Sequence, residues 1–136
     1  MSKGGKLKRI NGEGLALPKN PYSRAISLKG VQHLVVTSGQ LGADLSVGSD
    51  GRLADGFAAQ VRQALANLRT VLADEGMGVE NIMALHHCVV GPQDLAALNE
   101  VRLAFLGDAR PASLLMVVSG LWNPDALYEV SAIAAR

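Results

Sequence analysis

The sequence predicts a single α+β domain in which one mixed β-sheet carries two helices on one face. Its 136 residues suit one hydrophobic core, with roughly two-thirds of the unfolded chain's surface buried. Two windows place apolar residues at helical spacing, and the apolar runs around them have strand length. In chain order these segments read β-β-α-β-α-β-β.

Residues 1–20 contain Gly4, Gly5, Gly12, Gly14 and Pro18 and are expected to be flexible or partly ordered, the folded domain spanning 21–136. Residues 23–28 and 31–37 are β-prone runs about Lys29-Gly30, which predicts a hairpin. From Ser38 to Asp55, a stretch rich in Gly, Asp and Ser reads as a surface loop. Phe57, Val61, Ala64, Leu65, Leu68, Val71 and Leu72 line one face of a helix, with Asp55 as N-cap and Gly76 as stop. Residues 82–90 form an apolar run of strand length, although Met83-Ala84-Leu85 also fits a helix, and Gly91-Pro92 ends it. A second helix fits 93–106, with Leu95, Leu98, Val101 and Phe105 on one side and Gly107 as stop. Residues 114–118 and 127–134, separated by Trp122-Asn123-Pro124-Asp125, predict a final hairpin with a long turn.

Composition narrows the function classes. The chain is 49% apolar and 18% charged, so little charged surface covers its aliphatic interior. Leu114-Leu115-Met116-Val117-Val118 is apolar on both faces of its strand, which predicts that the sheet face without helices is covered by another subunit. Net charge is +1, and the basic cluster Lys3, Lys6, Lys8 and Arg9 reads as a solvated end, so no nucleic-acid partner is expected. The single cysteine, Cys88, excludes an intramolecular disulfide and fits a reducing compartment. No apolar run approaches the ~18 residues of a spanning helix, and the N-terminus lacks a secretory apolar core. The expected location is the cytoplasm, away from membranes.

A series of short motifs resembles the Rid family, the YjgF-type reactive imine/enamine deaminases. These are Asn20-Pro21-Tyr22-Ser23, Ser38-Gly39-Gln40, Gln60 with Asn67-Leu68 and Leu72, and Asn99. They continue with Arg110-Pro111-Ala112-Ser113, Tyr128-Glu129-Val130 and Ala132-Ile133-Ala134, so the resemblance runs from about residue 20 to 135. It implies a chorismate-mutase-like fold, a homotrimer around a central barrel, and small-molecule substrates bound in clefts between neighbouring subunits. It also implies hydrolysis of an enamine or imine to a carbonyl compound and ammonia, with no cofactor and no metal.

Imine hydrolysis needs a protonated imine, a water beside its carbon, and a carboxylate to orient that water and move protons. Glu129 stands where the family carries this role. Read without the family, it is an edge-strand carboxylate facing solvent; a cleft is the other home for a carboxylate in an apolar strand. Tyr22 and Asn99 resemble cleft residues, against the alternatives of a packed surface tyrosine and a helix-surface amide. Ser38 and Gly39 offer a hydroxyl and a close-approach backbone, or simply end a strand. Leu115 stands where the family often has a cysteine whose backbone carbonyl is implicated.

The chain departs from the pattern at Ser113, where the family's active deaminases carry an arginine that grips the substrate carboxylate. Serine supplies neither the charge nor the fork, which predicts a substrate other than 2-aminoacrylate. Arg110 is offset by three residues and so points to the opposite strand face. Arg102 follows Asn99 by three, on nearly the same helix face, where the family often has a tyrosine; it either enters the cleft or is solvated. Ser131 replaces a second family glutamate. Besides the hydrolase, a non-catalytic small-molecule-binding or regulatory trimer is consistent with these changes.

His86-His87-Cys88 has the composition of a metal site, but alternation puts His86 and Cys88 on one face and His87 on the other, with no fourth ligand nearby. Either histidine could reach the cleft as an acid–base group, and Cys88 reads as an inert thiol unless a base adjoins it. No Gly-rich phosphate loop is present.

Overall fold

The computed structural model describes residues 6–136. Strands β1 (Lys6–Ile10), β2 (Ala25–Lys29), β3 (Leu34–Val36), β4 (Gln40–Leu41), β5 (Ala43–Asp44) and β6 (Arg52–Leu53) precede helix α1 (Phe57–Ala73). Strand β7 (Ile82–Val90), helix α2 (Leu95–Leu106), β8 (Ala112–Val118) and β9 (Tyr128–Ala135) follow. The main sheet runs β3-β9-β7-β8, with β4 beside the other end of β9. Strands β7 and β8 pair in parallel, with α2 as the crossover such pairing requires, and the other ladders of this sheet are antiparallel. The α+β class and the two helices on one face of a mixed sheet are as expected.

Side-chain alternation sorts the sheet into two faces. Leu85, His87 and Val89 of β7 and Tyr128, Val130, Ala132 and Ala134 of β9 are buried beneath Val61, Leu65, Leu68 and Leu72 of α1 and Leu98 and Val101 of α2. On the other face, His86 stands opposite Leu114 and Ser131, and Cys88 opposite Met116 and Glu129. Leu34, Val36, Leu114 and Met116 are exposed on this uncovered face.

Helix α1 begins without the Asp55 cap. Gly56, at φ 88°, is its N-cap and makes no side-chain capping bond. A fully buried leucine contributes about 1.5–3 kcal/mol, against the ~1 kcal/mol of a capping side chain, so packing of Leu65, Leu68 and Leu72 suffices. Its end is as expected: Gly76 takes φ 64°, and bonds from Gly76 N–H to Ala73 C=O and Met77 N–H to Leu72 C=O close the last turn. Helix α2 starts at Leu95, with the Asp94 carboxylate accepting from the Ala96 and Ala97 N–H groups.

Neither predicted hairpin forms. β2 pairs with β1, while β3 pairs with β9 through Leu34↔Ala135, Val35↔Ala134 and Val36↔Ile133. The segment expected to be partly ordered therefore contains a strand; Lys3 and the rest of residues 1–5 lie outside the described residues. At the other end, β7 lies between β8 and β9. Local turn signals favour neighbours in sequence, but an apolar nine-residue strand buries most when both its edges are paired, and β7 takes that place. Within the expected loop, β4 pairs with β9 and β5 with β6. Among the described residues, no helix is long and apolar enough to cross a membrane.

Candidate active site

A cavity of about 250 Å³ opens on the helix-covered side of the sheet, where α2 meets β8, lined by Asn20, Tyr22, Leu95, Leu98, Asn99, Arg102, Ser113 and Leu115. Its parts are held locally. The Ser23 N–H donates to Pro111 C=O at 3.0 Å and its hydroxyl to Arg110 C=O at 2.5 Å, which ties the Asn20–Tyr22 corner to the start of β8. Asn99 and Arg102 share a face of α2, and Ser113 and Leu115, two residues apart, share a face of β8. Asn99 Nδ2 donates to Asn20 Oδ1 at 3.1 Å.

Arg102 is only 4% exposed. Its Nη2 donates to Asn99 Oδ1 at 2.7 Å; Nη1 lies 3.4 Å from Ser113 Oγ and 3.4 Å from His87 Nε2. Burial lowers its pKa, yet a guanidinium stays charged. A cation facing Nε2 requires the lone pair there, so His87 carries its proton on Nδ1 and donates it to Tyr128 Oη, 2.5 Å away. Burial first, then Arg102 and His86, hold His87 down at about 3, so it is neutral at physiological pH. Burial likewise pushes the Tyr128 phenol up. Phe57 packs edge-on against the Tyr128 ring, closing this polar line inside the core.

Glu129 lies on the uncovered face, half-buried, across from Leu41 on one side and Cys88 on the other. Its carboxylate passes over Gly39, so closely that a Cβ on that residue would overlap it. Ser38 adjoins, exposed, its carbonyl accepting from Gln40 Nε2. Burial, with Glu129 alongside, raises the Cys88 thiol's pKa, which keeps it protonated and unreactive.

The eight residues singled out from the sequence thus form two groups. Tyr22, Asn99, Arg102, Ser113 and Leu115 line one cavity, while Ser38, Gly39 and Glu129 stand together on the opposite face. Arg110 is elsewhere, donating to the carbonyls of Gly107 and Ala109. Sequence reasoning missed Asn20 as a lining residue and the His87–Tyr128 pair behind Arg102. Alternation put His87 opposite Cys88, but nothing local showed that it would meet an arginine from a helix. Among the described residues, no group of three or more His, Cys, Asp or Glu is placed to hold a metal ion.

The sequence model of the Endoribonuclease L-PSP family matches residues 14–136. The chain belongs to this family, the Rid or YjgF-type family. A Rid-family protein of unknown function, YyfB from Yersinia pestis, has a solved structure that superposes with a TM-score of 0.81 at 26% identity, over 96% of this chain and 98% of that one. A 2-iminobutanoate/2-iminopropanoate deaminase from Salmonella typhimurium is 30% identical over 132 residues, 95% of this chain and 98% of that protein. The 3-aminoacrylate deaminase RutC of Acinetobacter baylyi is 30% identical over 122 residues, 90% of this chain and 92% of that protein. Against this Rid background, the cavity pairs Ser113 of β8 with a guanidinium supplied by α2.

Proposed function

We propose that this Rid-family chain is a hydrolase that converts a reactive enamine or imine to a carbonyl compound and ammonia, in clefts between the subunits of a cytoplasmic homotrimer. The observation that carries the reading is the division of the polar groups. A carboxylate, Glu129, stands on an apolar sheet face that needs a cover, and a polar cavity stands on the other side of the same sheet. Neither is a complete site. A neighbouring subunit docked on the uncovered face would bring the cavity of one copy to the Glu129 of the next.

In that cleft the enamine is first protonated on carbon to give the imine. Glu129 orients a water and takes its proton as the oxygen adds to the protonated imine carbon. Glu129 returns that proton to the carbinolamine nitrogen and then takes the hydroxyl proton as the carbonyl forms, so the C–N bond breaks and ammonia leaves. Tyr22 and Asn99 orient the substrate from the cavity side, Ser38 and Gly39 from the Glu129 side, and Leu115 by its backbone carbonyl. Water is the sole co-reactant, so the chemistry asks for neither metal nor cofactor. Because Ser113 replaces the gripping arginine, the substrate differs from 2-aminoacrylate or is held differently.

The test is ammonia release in a coupled assay, with 2-aminoacrylate, 2-iminobutanoate and bulkier imines generated in situ, for the wild type and Glu129→Gln. The expected result is acceleration by the wild type that falls at least about 100-fold in the variant, the usual range for a general acid–base group. Ser113 favours a second reading, a trimer that binds small molecules without turning them over. No acceleration with any imine, together with retained binding of their keto-acid products, would establish that second reading in place of the first.

A further inference from the structure

We propose that Arg102 is the substrate-selecting cation of this cleft, gripping the carboxylate of a carboxylate-bearing imine from helix α2 instead of from strand β8. The inference rests on the cavity being the imine site and adds the residue and the ligand chemistry that select among imines.

Arg102 is 96% buried, the complement of its 4% exposure, and lines the 250 Å³ cavity. A guanidinium removed from water this far is costly unless an anion compensates it. None does so within the chain: among the described residues the only ion pair is His33 with Glu75, and Arg102's acceptors are the neutral Asn99 Oδ1, Ser113 Oγ and His87 Nε2. Two of these bonds are long at 3.4 Å, and the Nε–H has no partner at all. A buried cation with spare donors and no counter-charge, at the wall of a cavity, is an arrangement that an anionic ligand completes.

The surroundings position the group and do not neutralise it. Asn99 fixes one nitrogen from the same helix face. His87, whose Nδ1 proton is committed to Tyr128, presents a lone pair to the other and makes no competing charge, being held neutral. Ser113 is the complementary change on the strand. A short neutral side chain leaves room for the fork from α2, whereas an arginine at 113 would set a second guanidinium against the first. Ser113 and Arg102 are therefore one device in two parts, a cation moved from sheet to helix.

The experiment measures binding of 2-oxobutanoate, the product-shaped monoanion, and of 2-butanone, its uncharged counterpart, by calorimetry on the full chain. The variants are Arg102→Met, Arg102→Lys and the double exchange Arg102→Tyr with Ser113→Arg. The wild type should prefer the anion. Arg102→Met should lose about tenfold to a hundredfold in affinity for 2-oxobutanoate, as expected for hydrogen bonds to a charged group, with 2-butanone unaffected. Arg102→Lys should fall between, and the double exchange should recover part of the loss, because it returns a guanidinium to the site. Equal affinity of wild type and folded Arg102→Met for 2-oxobutanoate overturns the proposal. Should the methionine variant not fold, a wild type without preference for the anion overturns it equally, as does a folded Arg102→Gln that binds 2-oxobutanoate like wild type. Imine turnover separates the two proposals. Turnover of carboxylate imines that is indifferent to Arg102 refutes the grip alone, and Arg102-dependent anion binding without turnover of any imine refutes the deaminase alone.

Discussion

Gly39 and Glu129 meet so closely that the smallest side chain decides where the carboxylate stands. The obstacle to a Cβ at Gly39 is the far end of a flexible side chain, and no positive φ is required there. Gly39→Ala should therefore cost little stability, under about 0.5 kcal/mol, while swinging the Glu129 carboxylate away. The expected outcome is a kcat at least about tenfold lower with an unchanged urea midpoint, read from imine turnover and denaturation of the same preparation. His87 sets a different test. It is neutral when folded down to about pH 3, whereas an exposed histidine protonates near 6.5. Between those values the unfolded chain binds the extra proton, so stability is intact above 6.5 and declines as pH falls through the window, by up to ~1.4 kcal/mol per pH unit. His87→Gln should flatten that decline in urea titrations between about pH 6.5 and 4.5. An unchanged slope would show that other groups dominate acid unfolding.

At the scale of elements, α1 does more than cover the sheet. Asn67 Nδ2 donates to Leu41 C=O at 3.2 Å and Ala43 C=O at 2.8 Å, holding β4 and β5 to the helix. Gln60 Oε1 accepts from Leu127 N–H at 2.8 Å and so fixes the approach to β9, one residue before Tyr128 and two before Glu129. Gly42 allows this approach, because a Cβ there would overlap the backbone of Gln60. Helix backbone cannot swing aside as a carboxylate can, so Gly42→Ala should destabilise by about 1–3 kcal/mol, visible as a lower urea midpoint. A thermal melt should also register Asp94→Ala, which removes the α2 cap at a cost of about 1 kcal/mol and loosens the helix that carries Asn99 and Arg102.

At the scale of the whole molecule, the proposed trimer would link assembly to chemistry through the uncovered sheet face. Leu34, Val36, Leu114 and Met116 are large, apolar and exposed there, beside the half-buried Glu129. Light scattering should find three copies of the 14.2 kDa chain at micromolar concentration. Met116→Glu should shift that mass towards the monomer and abolish turnover together, without changing any residue of either polar group. A monomeric variant with full activity would refute a site shared between copies.

Much of this was legible in the chain itself. Helical periodicity marked both helices because their burial repeats locally, and alternation along residues 82–90 separated His87 from His86 and Cys88 because a strand has a fixed period of two. The motifs from Asn20 to Ala134 carried the family. Partnership was not legible. Strand order depends on which edge offers the larger burial to a distant segment, so β1 with β2, and β7 between β8 and β9, were decided only by the tertiary structure. The same holds for Arg102, whose sequence position fits solvent as well as cleft. Buried, it lies within 3.4 Å of Ser113 Oγ and His87 Nε2, two contacts across elements distant in sequence that exist only once α2 has packed against the sheet.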